Sequence, residues 1–242
     1  MKKLLQGFFI LLFTLAIWQL LASVLNTPVF PGPVKTLWHF RQNFFIMPRH
    51  IAYSTLRIII SIAAALLIGI PLGIAIGYSP KLRRIFSPFL YLSYPIPKLA
   101  LLPVIMLLFG LGETSKIIMI FLILFFPVTM DIAASVRSMN KELFQTMHAF
   151  GLKEPDIIKH VIFPGILPDI LTSLKVSIGI ALSILFFAEN YGTQYGLGYF
   201  IMNSWQKMNY TDLYGGIFTL AILGFFIFLL LDFIEDKVTA WK

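Results

Sequence analysis

The sequence predicts an all-α integral membrane protein, with six transmembrane helices and a helical hairpin on the cytoplasmic side between the fourth and fifth. Three observations predict it. Of the 242 residues 58% are hydrophobic and only 12% charged, with a mean hydropathy of +0.86; a soluble domain carries roughly twice that charged fraction. Apolar runs near the roughly 20 residues of a spanning helix recur along the chain. One segment between two such runs, residues 137–167, is far longer than a turn and carries its own helix punctuation.

The first span runs from Leu4 to Leu25 and ends before Asn26-Thr27-Pro28. It follows Lys2 and Lys3 but is too long for a signal core, and no small-x-small cleavage site follows it. The second covers Ile51–Gly77, of which Ile58–Gly77 is uncharged. The third, Phe86–Phe109, is interrupted by Pro88, Pro95, Pro97 and Pro103. The fourth is Lys116–Val136, the fifth Pro168–Ala188 and the sixth Leu213–Ile234. After Pro31-Gly32-Pro33, the residues Val34, Leu37, Trp38, Arg41, Phe44 and Phe45 recur at helical spacing. They predict a short amphipathic helix in the outer interface, with Trp38 at headgroup level. Three segments result: residues 1–49 with the first helix and the interfacial helix, a transmembrane domain over 50–235, and a cytoplasmic tail over 236–242.

Basic residues orient the chain. Lys2, Lys3, Lys81, Arg83, Arg84, Arg137, Lys141, Lys153, Lys159, Lys237 and Lys242 fall on one side, against Lys35, Arg41, Arg49, Lys116 and Lys207 on the other. Both termini are therefore expected in the cytoplasm. The net charge of +8 is scattered along the flanks of apolar runs, which speaks for the lipid bilayer as partner and against nucleic acid. The chain has no cysteine, so disulfides and thiolate chemistry are excluded.

Within 137–167 the chemistry is orderly. Asn140 can cap a helix over Lys141–Phe150. Gly151 sits where a left-handed C-terminal cap belongs. A second short helix has Pro155 in its first turn, carries Ile157, Ile158, Val161 and Ile162 on one face, and is expected to stop at Pro164. The result reads as a docking element.

Here the resemblance becomes specific. Gln145-Thr146-Met147-His148-Ala149-Phe150-Gly151, followed by Val161-Ile162-Phe163-Pro164 and Leu167-Pro168, resembles the cytoplasmic loop signature of binding-protein-dependent ABC importer permeases. That pattern is Glu-Ala-Ala, three residues, Gly, then a hydrophobic–Pro pair. Gly151, Pro164 and Pro168 match; Gln145, Thr146 and Met147 replace the opening triplet. Pro31-Gly32-Pro33, the run from Pro95 to Pro103, Phe109-Gly110-Leu111-Gly112-Glu113, and Ala188-Glu189 with Gly196-Leu197-Gly198-Tyr199 are similar to permeases of the nitrate, sulfonate and taurine group.

The resemblance implies a type I permease of the bacterial inner membrane that pairs with a second copy of itself. It implies two separate ATP-binding-cassette ATPase subunits and an extracellular binding protein that delivers a small solute. Gln145, His148, Ala149, Phe150, Gly151 and Leu152, with Pro164 and Pro168, would form the ATPase-coupling element. No phosphate-binding Gly-x-x-x-x-Gly-Lys-Ser/Thr loop is present, and no cofactor or catalytic residue is expected. Lys98 beside Pro97 has two readings, a pathway cation for an anionic solute or a side chain snorkelling to the inner surface. Glu189 and Asn190, at the outer end of the fifth span, are candidate pathway or gate residues. Asp131 and Lys175 are expected to pair, and Arg57 to anchor the second span. Gly192, Gly196 and Gly198 among Tyr191, Tyr195, Tyr199 and Trp205 suit either a loop against the binding protein or an aromatic belt. A sulfonate- or nitrate-type anion is favoured by Lys98; a heterocyclic vitamin precursor is the alternative. An ion-driven carrier would need intramembrane carboxylates and an inverted repeat, and only Asp131 lies well inside a span. A membrane enzyme would need His39, His50, His148 and His160 to converge, and they are dispersed.

Overall fold

The computed structural model describes residues 2–42 and 45–239 and is helical, with no strand among them. Phe44 and Lys242 lie outside the described residues. Helices α1 (Lys2–Leu25) and α2 (Pro33–Gln42) come first, then α3 (Met47–Tyr78) and α4 (Pro80–Ser93). A 3-10 turn (Lys98–Leu101) leads into α5 (Leu102–Phe109) and is followed by α6 (Glu113–Ser138), α7 (Lys141–Ala149) and α8 (Glu154–Ile157). A π turn (Ile158–Ile162) joins α9 (Phe163–Ala188), and α10 (Leu197–Gln206) and α11 (Tyr210–Val238) close the chain. Among the described residues, four stretches are long and apolar enough to cross a membrane: Met47–Tyr78, Glu113–Ser138, Glu154–Ala188 and Tyr210–Val238. A fifth arises if Pro80–Ser93 and Lys98–Phe109 form one span.

The chain divides into two compact units. The first joins Met1–Ser54 to Glu189–Leu223. Its Pro31-Gly32-Pro33 corner is held by the Trp18 indole, which donates to the Pro31 carbonyl at 3.1 Å, and by Thr36, which donates to Gly32 at 3.0 Å. Trp18 and Phe30 lie against Tyr214, with ring centroids 5.9 and 5.7 Å away. Helix α2 forms as predicted, with Pro33 at its start, and leaves Val34, Leu37 and Trp38 exposed. A small core of Met47, Leu197 and Phe200 seats α10.

The second unit comprises Thr55–Ala188 and Gly224–Lys242. Its main core joins Val128, Ile132 and Val136 of α6 to Ile166, Ile170, Leu174 and Ile178 of α9. Helix α3 approaches α6 closely because Gly69, Gly73 and Gly77 share one face. A Cβ on Gly73 would sit 2.7 Å from Ile132 Cγ2 and 2.9 Å from the Thr129 carbonyl. Without a hydrophobic drive between helices in lipid, such small residues permit the backbone approach that supplies dispersion contacts. Arg57, almost fully buried, makes a two-pronged ion pair with Glu113, at 2.5 and 2.6 Å.

The third span is broken at its prolines, as expected: α4 and the segment Lys98–Phe109 meet at 84°. Pro95 and Pro97 withhold N–H donors where a helix would need them, and the chain turns instead. Two other expectations are corrected here. Pro164 does not end a helix, since Glu154–Ala188 is continuous. The π turn before it, in which the Phe163 N–H donates to Ile158 five residues back, shifts the ladder so that the helix runs on through the proline. Asp131 and Lys175 do not pair. Ser173 donates to Asp131 at 2.5 Å, whereas Lys175 pairs with Asp232 and Glu235 on α11.

Candidate functional site

Helix α7 begins at Asn140, whose side chain accepts from the Glu142 N–H at 2.9 Å, satisfying one of the donors a helix start leaves orphaned. It ends in two nested bonds, Gly151 N–H to His148 O at 2.9 Å and Leu152 N–H to Met147 O at 3.1 Å. This is the double cap that a left-handed residue allows, and Gly151 has φ +80°. The helix is two-faced. Phe144 and Met147, together with Leu152, pack on the main core, while Gln145, His148, Ala149, Phe150 and Gly151 are exposed. Phe150 is 76% exposed at the tip, an unfavourable place for an aromatic ring unless something covers it. Ile157, Ile158, Val161 and Ile162 pack on the same core, as their spacing predicted. Tyr78 donates to Glu154, tying the hairpin to the end of α3. Pro164 is half-buried, and Pro168 is buried inside α9.

Lys98 lies at the α4–α5 bend. Its ammonium donates to the Ser93 and Tyr94 carbonyls, at 2.9 and 2.6 Å, and stands 5.0 Å from the Phe126 ring. It thus caps carbonyls that the broken helix leaves without partners, a role neither sequence reading included. Pro97 precedes the 3-10 turn and is exposed.

Glu189 is fully buried. Its carboxylate accepts from Ser54 Oγ at 2.8 Å and from the Gly198 N–H at 2.7 Å. Ser54 in turn accepts from the Leu197 N–H at 2.8 Å, and the Gly196 N–H donates to His50 Nδ1 at 3.1 Å. His50 stacks on Tyr199, with centroids 6.1 Å apart, and the Arg49 guanidinium lies 3.8 Å above the Tyr195 ring. The loop over residues 189–197 is thereby clasped to the start of α3. Asn190 is half-buried beside it, and Tyr191 is exposed. Sequence reading singled out Glu189 but missed Ser54, which donates to it, and His50, which meets the Gly196 backbone, both across more than a hundred residues.

Helices of this length and apolarity, broken at prolines and carrying an exposed two-faced hairpin, define a multi-span membrane protein. The sequence matches the binding-protein-dependent transport system inner membrane component family over residues 69–240. It is 35% identical to the taurine transport system permease protein TauC of Escherichia coli, covering 94% of this chain and 86% of that protein. It is 29% identical to the putative aliphatic sulfonates transport permease protein SsuC of Bacillus subtilis, covering 94% and 84%, and 26% identical to the formylaminopyrimidine transport permease protein ThiX of Halalkalibacterium halodurans, covering 97% and 94%. An inward-facing structure of the MetNI methionine ABC transporter shares the fold, with a TM-score of 0.64 at 18% identity over 81% of this chain and 98% of that one. The chain belongs to this family of binding-protein-dependent permeases. It is the membrane component of an ABC importer, which works with an ATPase and a binding protein.

Proposed function

We propose that this permease carries a small organic sulfonate through a homodimeric pore, driven by two ATPase subunits that grip the 145–152 hairpin. The observation that carries the coupling role is the hairpin itself: a double-capped turn presenting Gln145, His148, Ala149, Phe150 and Gly151 while its other face is fixed in the core. The substrate class rests on the taurine and aliphatic-sulfonate names of two relatives. In this reading α1 is the first of six spans, the bent pair α4 and α5 is the third, and both termini are cytoplasmic, in keeping with the bias of lysine and arginine. Residues 1–49 form the first transmembrane helix and the outer interfacial helix, 50–235 the permease domain and 236–242 the tail. Lys98, Pro97, Glu189 and Asn190 border the pathway, and ATP is hydrolysed on the partner subunits.

The test is uptake of radiolabelled taurine by cells expressing the complete importer, with a pull-down of the tagged chain beside it. Wild type should accumulate taurine and recover an ATPase subunit. Gly151→Asp should lose both while the chain stays in the membrane. Uptake of a formylaminopyrimidine instead of any sulfonate would refute the substrate class, and an ATPase recovered equally by Gly151→Asp would refute the docking role.

A further inference from the structure

On the face where α4 meets α6, at the same end of the second unit as the hairpin, lies a recess of about 40 Å³ lined by Arg83, Ser87 and Tyr91 of α4 and by Arg137, with Met130 and Ala133, of α6. Arg83, Ser87 and Tyr91 follow one another at four-residue spacing, so they form one stripe on their helix. Neither guanidinium is paired with a carboxylate among the described residues, and no acidic side chain lines the recess. By contrast, Arg57 has Glu113, and Lys175 has Asp232 and Glu235. Arg83 and Arg137 thus share one recess with two hydroxyls and an apolar wall.

We propose that Arg83, Arg137, Ser87 and Tyr91 form a binding site for one oxoanion head group, a sulfonate or a phosphate. Planar guanidinium forks match the oxygens of tetrahedral anions, with hydroxyls able to donate to a remaining oxygen. The recess has room for about three water-sized groups, which suits the oxygens of one head group and leaves any attached chain outside. The apolar wall of Met130 and Ala133 lowers the local dielectric and strengthens the attraction. Such a head group has two sources, a sulfonate solute leaving the pathway or an anionic lipid of the adjoining leaflet.

The test uses the assembled importer in nanodiscs. In phosphatidylcholine discs, ethanesulfonate is titrated and followed by saturation-transfer NMR. In discs containing phosphatidylglycerol, native mass spectrometry reads the lipid retained. Wild type should hold at least one probe, and Arg83→Gln/Arg137→Gln should weaken it by about tenfold or more, the loss of at least one charge-assisted contact. Arg84→Gln, whose side chain does not line the recess, should match wild type. A loss confined to ethanesulfonate assigns the site to solute, and one confined to lipid assigns it to the membrane. If wild type holds neither probe, or the double variant holds both as well as wild type does, the site is refuted. The sulfonate-import reading fails separately, in the uptake assay, and the lipid arm still decides the site in that event.

Discussion

Replacing Gly151 by alanine isolates the backbone contribution of the hairpin. The residue stands at φ +80°, and a Cβ built there meets no heavy atom within 4 Å. The substitution therefore carries no steric cost against neighbours, only the left-handed penalty of about 1–2 kcal/mol for an L-residue. That corresponds to a factor of about 5–30 in the population of the double-capped turn. If the ATPase grips this turn, substrate-stimulated ATP hydrolysis and uptake in proteoliposomes should fall by a factor in that range. Stability of the solubilised chain should fall by no more than that same penalty of about 1–2 kcal/mol, because Phe144, Met147 and Leu152 keep their core contacts. Gly151→Asn should recover most of the activity, since asparagine tolerates the left-handed region. The reasoning is refuted if alanine and asparagine variants both couple like wild type. It is refuted equally if the alanine variant loses several times that stability, for then the turn belongs to the folding core.

Other positions separate packing from polar satisfaction. Gly73→Ala should lower the melting temperature, by overpacking worth about 1–3 kcal/mol against Ile132 and Thr129, whereas Gly179→Ala, with nothing within 4 Å, should leave it unchanged or raise it through a stability gain of up to about 1 kcal/mol; equal melting shifts would contradict the close approach of α3 to α6. Glu113→Ala should destabilise by about 1–3 kcal/mol because it removes the two-pronged carboxylate contact of the buried Arg57, the half-exposed Glu113 keeping the cost below that of a fully buried pair; an unchanged denaturation curve would count against the ion pair. Glu189→Gln keeps the shape but turns an amide donor toward Ser54 or Gly198, and hydrogen exchange at the amides of Leu197 and Gly198 should accelerate by about tenfold or more. Exchange at wild-type rate would mean the carboxylate does not hold that loop.

Local signals in the sequence were legible where the chemistry is local. Asn140, Gly151 and Pro155 each act on their own backbone, and the start, end and continuation of the hairpin follow from them. The apolar face of Ile157, Ile158, Val161 and Ile162 was legible for the same reason, as helical spacing alone fixes which residues share a side. Pro164 misled because its penalty was assessed on an α-helical ladder, and the π turn offers another. The pairing of Asp131 with Lys175 failed because depth in a span says nothing about which helix a side chain faces; Lys175 turns to α11. Ser54 and His50 carry no signal of their own, since a serine and a histidine gain meaning only from the loop that folds back onto them. The Gly69, Gly73 and Gly77 spacing is readable in the sequence as one small-residue face.

The continuity of Glu154–Ala188 constrains how the hairpin can act. At about 1.5 Å per residue, α9 alone is roughly 39 Å long, and through the π turn and α8 it is continuous back to Glu154, just beyond the turn that carries Phe150. Leu152 and Ile157 sit in the same core as Ile166, Ile170 and Leu174, so the hairpin cannot swing as a loose flap without opening that core. Tyr78 fastens it to α3 through Glu154, and Lys175 fastens α9 to α11. A force at the tip therefore moves α9 as a rod together with the ends of two neighbours, or is absorbed by the π turn over Ile158–Ile162. That turn interrupts the α-helical ladder of the rod. If an ATPase grips the tip, coupling depends less on the strength of any one contact there than on keeping this turn from yielding, and the core residues Ile157 and Ile162 at its ends are both fully buried.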